Sequence, residues 1–143
     1  MEDVFFWTRH DEFGFFSNFA RTPVLIDNEI WPTVEHYFQA QKSFDYKYQA
    51  KILACEKPFG AKRKGYTAKL RPGWDEGIKE EVMLKGLRAK FKQYPALRKI
   101  LLSTGDAAIH EDSPTDMYWG YVKGKGKDRL GKLLMQVREE LRQ

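Results

Sequence analysis

A helix-dominated α+β fold is what this 143-residue sequence predicts. Apolar residues recur at helical spacing in several segments, most clearly Leu130, Leu133, Leu134, Val137 and Leu141. Only short β-branched and aromatic runs, such as residues 4–7 and 24–26, have the character of strands. No internal repeat, low-complexity tract or linker interrupts the chain. Residues 1–143 are therefore expected to form a single domain with a few short strands, long enough to bury a core without metals or disulfides.

Taken in order, residues 4–7 read as a strand and residues 11–18 as an aromatic-rich loop leading into Ser17-Asn18-Phe19. Residues 24–26 and 29–31 flank Asp27-Asn28, a two-residue hairpin signal. Pro32 biases Trp31 toward an extended conformation, and Thr33 supplies a hydroxyl cap for a helix running to about Ser43. Asp45 is expected to cap a second helix reaching Cys55. Residues 58–64 form a short helix stopped by Gly65, and residues 69–74 form a loop. Asp75 is expected to cap the longest helix, which ends near Gln93. Pro95 opens another through about Leu102, stopped by Thr104-Gly105-Asp106. Residues 107–110 make a brief strand, 113–120 are irregular, 124–128 form a loop rich in Gly and Lys, and 129–141 form a closing amphipathic helix.

The totals exclude several classes of function. Hydrophobic residues at 42% and charged residues at 31% are ordinary for a globular protein, whereas 15% aromatics is high. The net charge of +5 attracts phosphates and tolerates nucleic acid. Cys55, the single cysteine, allows no intrachain disulfide and no metal cluster, and reads as a small buried hydrophobe. His10, His36 and His110 have no metal-ligand spacing, so no metal or other cofactor is expected. The N-terminal residues lack a basic region followed by an apolar stretch, and no run of about 18 apolar residues occurs. The expectation is a cytoplasmic protein without a membrane partner.

The stretch WPTVEHYFQAQK at residues 31–42 organises the chemistry. On a helix, Val34, Tyr37, Phe38 and Gln41 share an apolar face, and Glu35, Gln39 and Lys42 fall on the adjoining stripe. A carboxylate, an amide and an amine would then line the rim of a core. The same spacing also describes a solvated helix face. Trp74 follows Leu70-Arg71-Pro72-Gly73, and Trp119 lies between Asp116 and Gly120. A Trp in such a loop either plugs a core or stacks on a planar ring. Glu35 and Asp116 could act as paired carboxylates in glycosidic cleavage, one delivering a proton to the leaving group. Lys42, desolvated beside an apolar face, could attack a ribose carbonyl, although nearby carboxylates would oppose its loss of a proton. Residues 126–132 satisfy G-x-x-x-x-G-K, but Leu133 stands where a magnesium-binding Ser or Thr is required. A nucleotide triphosphatase is rejected. An anion site at the start of the last helix and a solvated basic loop both remain open.

Together, Ser17-Asn18-Phe19, the 31–42 stretch, Leu70-Arg71-Pro72, Trp74, the LRAKF run at 87–91, Asp116 to Gly120 and the glycine- and lysine-rich segment at 124–135 resemble the NADAR, or YbiA-like, family in order and spacing. The resemblance implies a mostly helical fold with an N-glycosidase site. It implies substrates in which ribose is joined to an amine or base. These are phosphoribosyl-aminopyrimidine intermediates of riboflavin synthesis, or ADP-ribose on guanine, including ADP-ribosylated nucleic acid. Carried onto this chain, Glu35 and Asp116 handle protons and Lys42 is nucleophile or electrostatic partner. Trp74 is the stacking tryptophan, and Asn18, Arg71, Trp119 and Gly120 line the pocket. Two positions depart from the family's tendency: Tyr66 stands in place of an Arg, and Asp128 in place of an Asn. The alternative is a module that binds ADP-ribose or nucleic acid without cleaving it.

Overall fold

The Asp27-Asn28 pair does what its chemistry requires. Both residues adopt the left-handed region, at φ 52° and 68°, and close an antiparallel hairpin in which Val24 faces Trp31 and Ile26 faces Glu29. In this computed structural model, which describes residues 1–8 and 10–143, four short strands and six helices follow along the chain. They are β1 (Val4–Phe6), β2 (Val24–Ile26), β3 (Glu29–Trp31), α1 (Val34–Ala40), α2 (Tyr46–Leu53), α3 (Pro58–Gly65), α4 (Ile78–Gln93), α5 (Pro95–Ser103), β4 (Ile109–Glu111) and α6 (Arg129–Arg142). The helix-dominated α+β class is the one the sequence predicts. Among the described residues no helix is long and apolar enough to cross a membrane.

The chain forms two compact units, Arg21–Gln93 and Met1–Ala20 with Tyr94–Gln143. In the first, α1 packs against α2, α3 and α4, and the hairpin lies on α4. Gln93 closes that contact, donating from its amide to the Leu25 carbonyl at 2.8 Å and accepting from the Leu25 N–H at 2.9 Å. The core is Val34, Tyr37, Phe38, Ile52, Met83, Leu87 and Phe91, all nearly sealed from solvent. Lys90 on α4 is fully buried among them, and desolvation pushes its amine down to about 7. Helical spacing sets this lysine apart from its exposed neighbours Lys85 and Lys92, since it lies three residues after Leu87 and seven after Met83, on the inner face of α4.

In the second unit β1 and β4 pair in parallel, with Val4 beside Ile109 and Phe6 beside Glu111. The apolar stripe predicted for α6 is buried: Leu130, Leu133, Leu134 and Val137 lie inside. Arg138 on the same helix donates to the Thr104 hydroxyl and the Ala107 carbonyl, tying α6 to the end of α5.

Three expected boundaries are corrected. The first long helix stops at Ala40 rather than Ser43, because the Gln41 N–H is shared among the Tyr37, Phe38 and Gln39 carbonyls as the last turn tightens. Asp75 does not cap the longest helix. It sits in a short 3-10 turn (Trp74–Glu76), Gly77 at φ 123° breaks the chain, and Asp75 pairs instead with Lys79 at 3.2 Å. The strand expected at 107–110 is shifted to Ile109–Glu111, where its partner β1 lies.

Candidate active site

Thr33 fixes the start of α1, its hydroxyl accepting from the His36 N–H at 3.1 Å. His36 Nε2 donates to the Cys55 carbonyl at 2.9 Å, so Nδ1 is the acceptor that receives the Thr33 hydroxyl at 2.8 Å. Burial lowers the His36 pKa from 6.5, keeping the imidazole neutral at pH 7. This histidine is a structural clasp. Cys55 is half-buried just beyond α2, its thiol donating to the Lys51 carbonyl.

Glu35 is 7% exposed, in a first turn whose amides favour negative charge. One turn on, Gln39 Nε2 donates to Glu35 Oε2 at 2.6 Å. The carboxylate sets the amide's direction, since the reverse orientation would oppose two acceptors. Gln39 Oε1 is thereby turned away from Glu35, buried, and without a hydrogen-bond partner among the described residues. An acceptor left in that state costs about 1–3 kcal/mol unless a ligand or water meets it. Gly65 makes the space around it: a Cβ at that position would overlap Gln39 Oε1 and lie 3.2 Å from Lys42 Nζ.

Lys42 reaches the same place from beyond the helix. Its N–H donates to the Gln39 carbonyl at 3.3 Å and its own carbonyl accepts from the Arg71 N–H at 2.7 Å. The amine is delivered by a turn pinned to the Arg71 loop, a correction to the continuous helical stripe expected from sequence. Lys42 Nζ makes no hydrogen bond or ion pair with a described residue, and lies 5.9 Å from the centroid of the Tyr66 ring. Burial pulls its pKa below the ordinary lysine value; the charges of Glu35 and Asp75 oppose this, and those of Lys62 and Lys79 assist it.

Arg71 stacks its guanidinium on Phe44, 4.2 Å from the ring centroid, while its buried Nε has no hydrogen-bond partner among the described residues. Trp74 is only 4% exposed and packs on Phe38 at 5.2 Å between ring centroids. An indole so enclosed has little accessible surface on which a planar ring could stack.

The remaining expected site residues belong to the other unit. Asp116 Oδ1 accepts from the Tyr118 and Trp119 N–H groups at 3.0 and 2.9 Å, and its own N–H donates to the Ser113 hydroxyl at 2.8 Å. Oδ2 has no hydrogen-bond partner among the described residues. Trp119 is half-buried, its ring 4.9 Å from that of Tyr118, and Asn18 is buried. Gly120 serves packing: a Cβ there would lie 2.5 Å from Ser113 Cβ and 2.7 Å from the Asp116 carbonyl.

The glycine- and lysine-rich loop is not an anion site. The N–H groups of Lys127, Asp128, Arg129 and Leu130 donate to the carbonyls of Met117, Gly120, Tyr118 and Trp119. Asp128 is buried at the entrance of α6, its Oδ2 2.6 Å from His110 Nδ1, and His110 Nε2 meets Asp3 at 2.9 Å. A phosphate would find the amides taken and a carboxylate in its way. Among the described residues no group of three or more His, Cys, Asp or Glu side chains is placed to hold a metal ion.

Sequence reasoning named Gln39 only as part of a stripe and missed Gly65. The signal was available in part, since a glycine ending one helix opposite an acid-amide pair on another marks close approach.

Residues 5–142 match the NADAR domain family model. The chain belongs to the NADAR domain family. It is 49% identical over 139 residues to N-glycosidase YbiA of Escherichia coli (strain K12), covering 95% of this chain and 86% of that protein. N-glycosidase Npun_R5314 of Nostoc punctiforme is 39% identical over 145 residues, covering 97% of this chain and 92% of that one. Riboflavin biosynthesis protein VVA0006 of Vibrio vulnificus is 37% identical over 145 residues, which span 99% of this chain and 39% of that longer protein. The NMR structure of E. coli YbiA superimposes with a TM-score of 0.89 at 48% identity, covering 99% of this chain and 87% of the other. At such identity and coverage the enzymatic class carries over: this NADAR protein is an N-glycosidase.

Proposed function

We propose that this NADAR enzyme hydrolyses the bond between ribose C1 and an amine or base nitrogen in phosphorylated ribosyl compounds. Phosphoribosyl-aminopyrimidines of riboflavin biosynthesis are the leading substrates, and ADP-ribosylated guanine the second class. The observation that carries the reading is the buried Glu35–Gln39 pair, with an unengaged amide oxygen, beside a partly desolvated lysine that has no ion-pair partner. The riboflavin biosynthesis names of the Vibrio vulnificus and Zea mays relatives support the first substrate class.

In this reading Glu35 carries the proton work, typically worth about 10²–10⁴ in rate. The leaving nitrogen gains a proton as the C–N bond breaks, and water supplies the hydroxyl that ends on C1. Gln39 Oε1 accepts from a ribose hydroxyl. Burial enlarges the neutral fraction of Lys42, so its amine can attack C1 and displace the protonated nitrogen; opening of the C1–O4 bond, with a proton delivered to O4, then gives an imine that water hydrolyses. Protonated, the same amine would stabilise the departing electrons instead. The Arg71 guanidinium, with the positive field of Lys62 and Lys79, attracts the phosphate.

The test is incubation with ribosylaminopyrimidine phosphate and, separately, with ADP-ribosylated guanine DNA. Released pyrimidine or free ADP-ribose is expected. Tight binding of either without product would favour the non-catalytic binding module and contradict hydrolysis. Borohydride added during turnover, followed by mass spectrometry, separates the two roles of Lys42, because only the imine leaves an adduct.

A further inference from the structure

The Arg21–Gln93 unit leaves several large aromatic side chains in solvent, and one of them stands beside the acid-amide-amine cluster. Tyr66, 76% exposed, is the residue immediately after Gly65. Gly65 can carry no side chain because Gln39 Oε1 and Lys42 Nζ occupy that space, so Tyr66 is the first side chain past the closest approach. Its ring centroid is 5.9 Å from Lys42 Nζ, within the range of a cation–π contact, and its hydroxyl has no hydrogen-bond partner among the described residues. Phe44, 68% exposed, also flanks the Lys42 turn, but Arg71 already covers one of its faces. Trp74 is enclosed against Phe38. An open aromatic face beside the reacting groups is therefore supplied by Tyr66.

We propose that Tyr66 is the residue that stacks on the planar leaving group, and that it sets the preference of this enzyme for ribosides of flat heteroaromatic amines over ribosides of non-aromatic ones. The inference rests on the proposed hydrolysis at Glu35 and Lys42 and adds a substrate class to it. Stacking is indifferent to the order of ring substituents, because any heteroaromatic ring presents a π face. It accounts for recognition of the ring before a single hydrogen bond to its edge is invoked.

The experiment compares the wild-type chain with Tyr66→Ala, Tyr66→Phe and Tyr66→Trp. With ribosylaminopyrimidine phosphate, Tyr66→Ala should raise KM about 10-fold with kcat within about threefold, and Phe and Trp should restore KM. By calorimetry, the affinity for free 5,6-diaminouracil should fall by a similar factor in Tyr66→Ala, while that for ribose 5-phosphate should not change. Unchanged affinity for 5,6-diaminouracil in Tyr66→Ala would overturn the proposal, as would equal loss for both probes or no binding of the pyrimidine by the wild-type chain. A wild-type protein that binds 5,6-diaminouracil through Tyr66 but releases no base would leave stacking intact and sink the hydrolytic reading alone.

Discussion

At the C-terminal end of α1, Gln39 and Lys42 keep polar atoms that form no hydrogen bond with a described residue; at the entrance of α6, four consecutive backbone N–H groups are all taken by carbonyls. In sequence the two stretches suggest the reverse. The Glu35–Lys42 stripe has the spacing of a solvated helix face, and the 124–132 segment has the glycines and lysines of an anion cradle. Folding hides the first and ties up the backbone amides of the second, where the one buried orphan among the described residues is a carboxylate oxygen, Asp128 Oδ1, which would repel an anion. Buried polar groups are nearly always paired, so each unpaired one calls for an explanation, and an orphan acceptor beside an amine differs from an orphan carboxylate oxygen in what it can meet. Residue type alone does not reveal which atoms a fold will leave unpaired.

The contrast can be broken most forcefully with a glycine at each place. A Cβ at Gly131 would overlap the Ile109 carbonyl, which is backbone and cannot move aside. Gly131→Ala should therefore cost about 3 kcal/mol of stability, read as a drop in melting temperature of roughly 10 °C. At Gly65 the obstacle is the tip of the Gln39 side chain. Gly65→Ala should shift the melting point by only a few degrees but reduce turnover about 10²-fold, because it displaces the Gln39–Glu35 pair. Equal effects of the two substitutions on stability would erase the distinction.

A smaller effect should appear in pH dependence. Burial disfavours charge on His110, but the hydrogen bonds and charges of Asp3 and Asp128 outweigh it, and the pKa stands above 6.5. The Tyr121 ring stacks on this histidine at 4.3 Å and the Phe5 ring lies at 5.0 Å. A histidine whose folded pKa is raised stabilises fully below the unfolded value of 6.5 and loses that contribution as pH rises through the folded pKa. Melting temperature should fall over that window, and His110→Gln should flatten the profile there. The smallest effect is expected from Lys127→Ala and Lys132→Ala. KM for ribosylaminopyrimidine phosphate should change by less than about twofold, since the loop holds no phosphate; a tenfold rise in either would reinstate it.

Local chemistry made much of the fold legible. Asp27-Asn28 dictates the hairpin, Thr33 the start of α1, and the leucines after Asp128 the inner face of α6. Where an element's end depends on tertiary partners, sequence gave less. Lys42 lies beyond its helix because the Arg71 N–H claims its carbonyl, and β4 falls where β1 can pair with it. The site divides in the same way. Glu35 beside an apolar face was readable from period, and the structure buries it. That Trp74 would be enclosed and Tyr66 left open depends on packing with Phe38 and on the glycine before Tyr66, neither of which periodicity encodes.

The central claim is that the carboxylate sealed against Gln39 performs chemistry and is not merely a buried polar contact. Glu35→Gln keeps the size of the side chain and removes its charge. Single-turnover release of base from ribosylaminopyrimidine phosphate should fall at least about 10²-fold, with the melting temperature within a few degrees of wild type. Release at the wild-type rate from a folded Glu35→Gln protein would remove Glu35 from the mechanism, and with it the account given of this site.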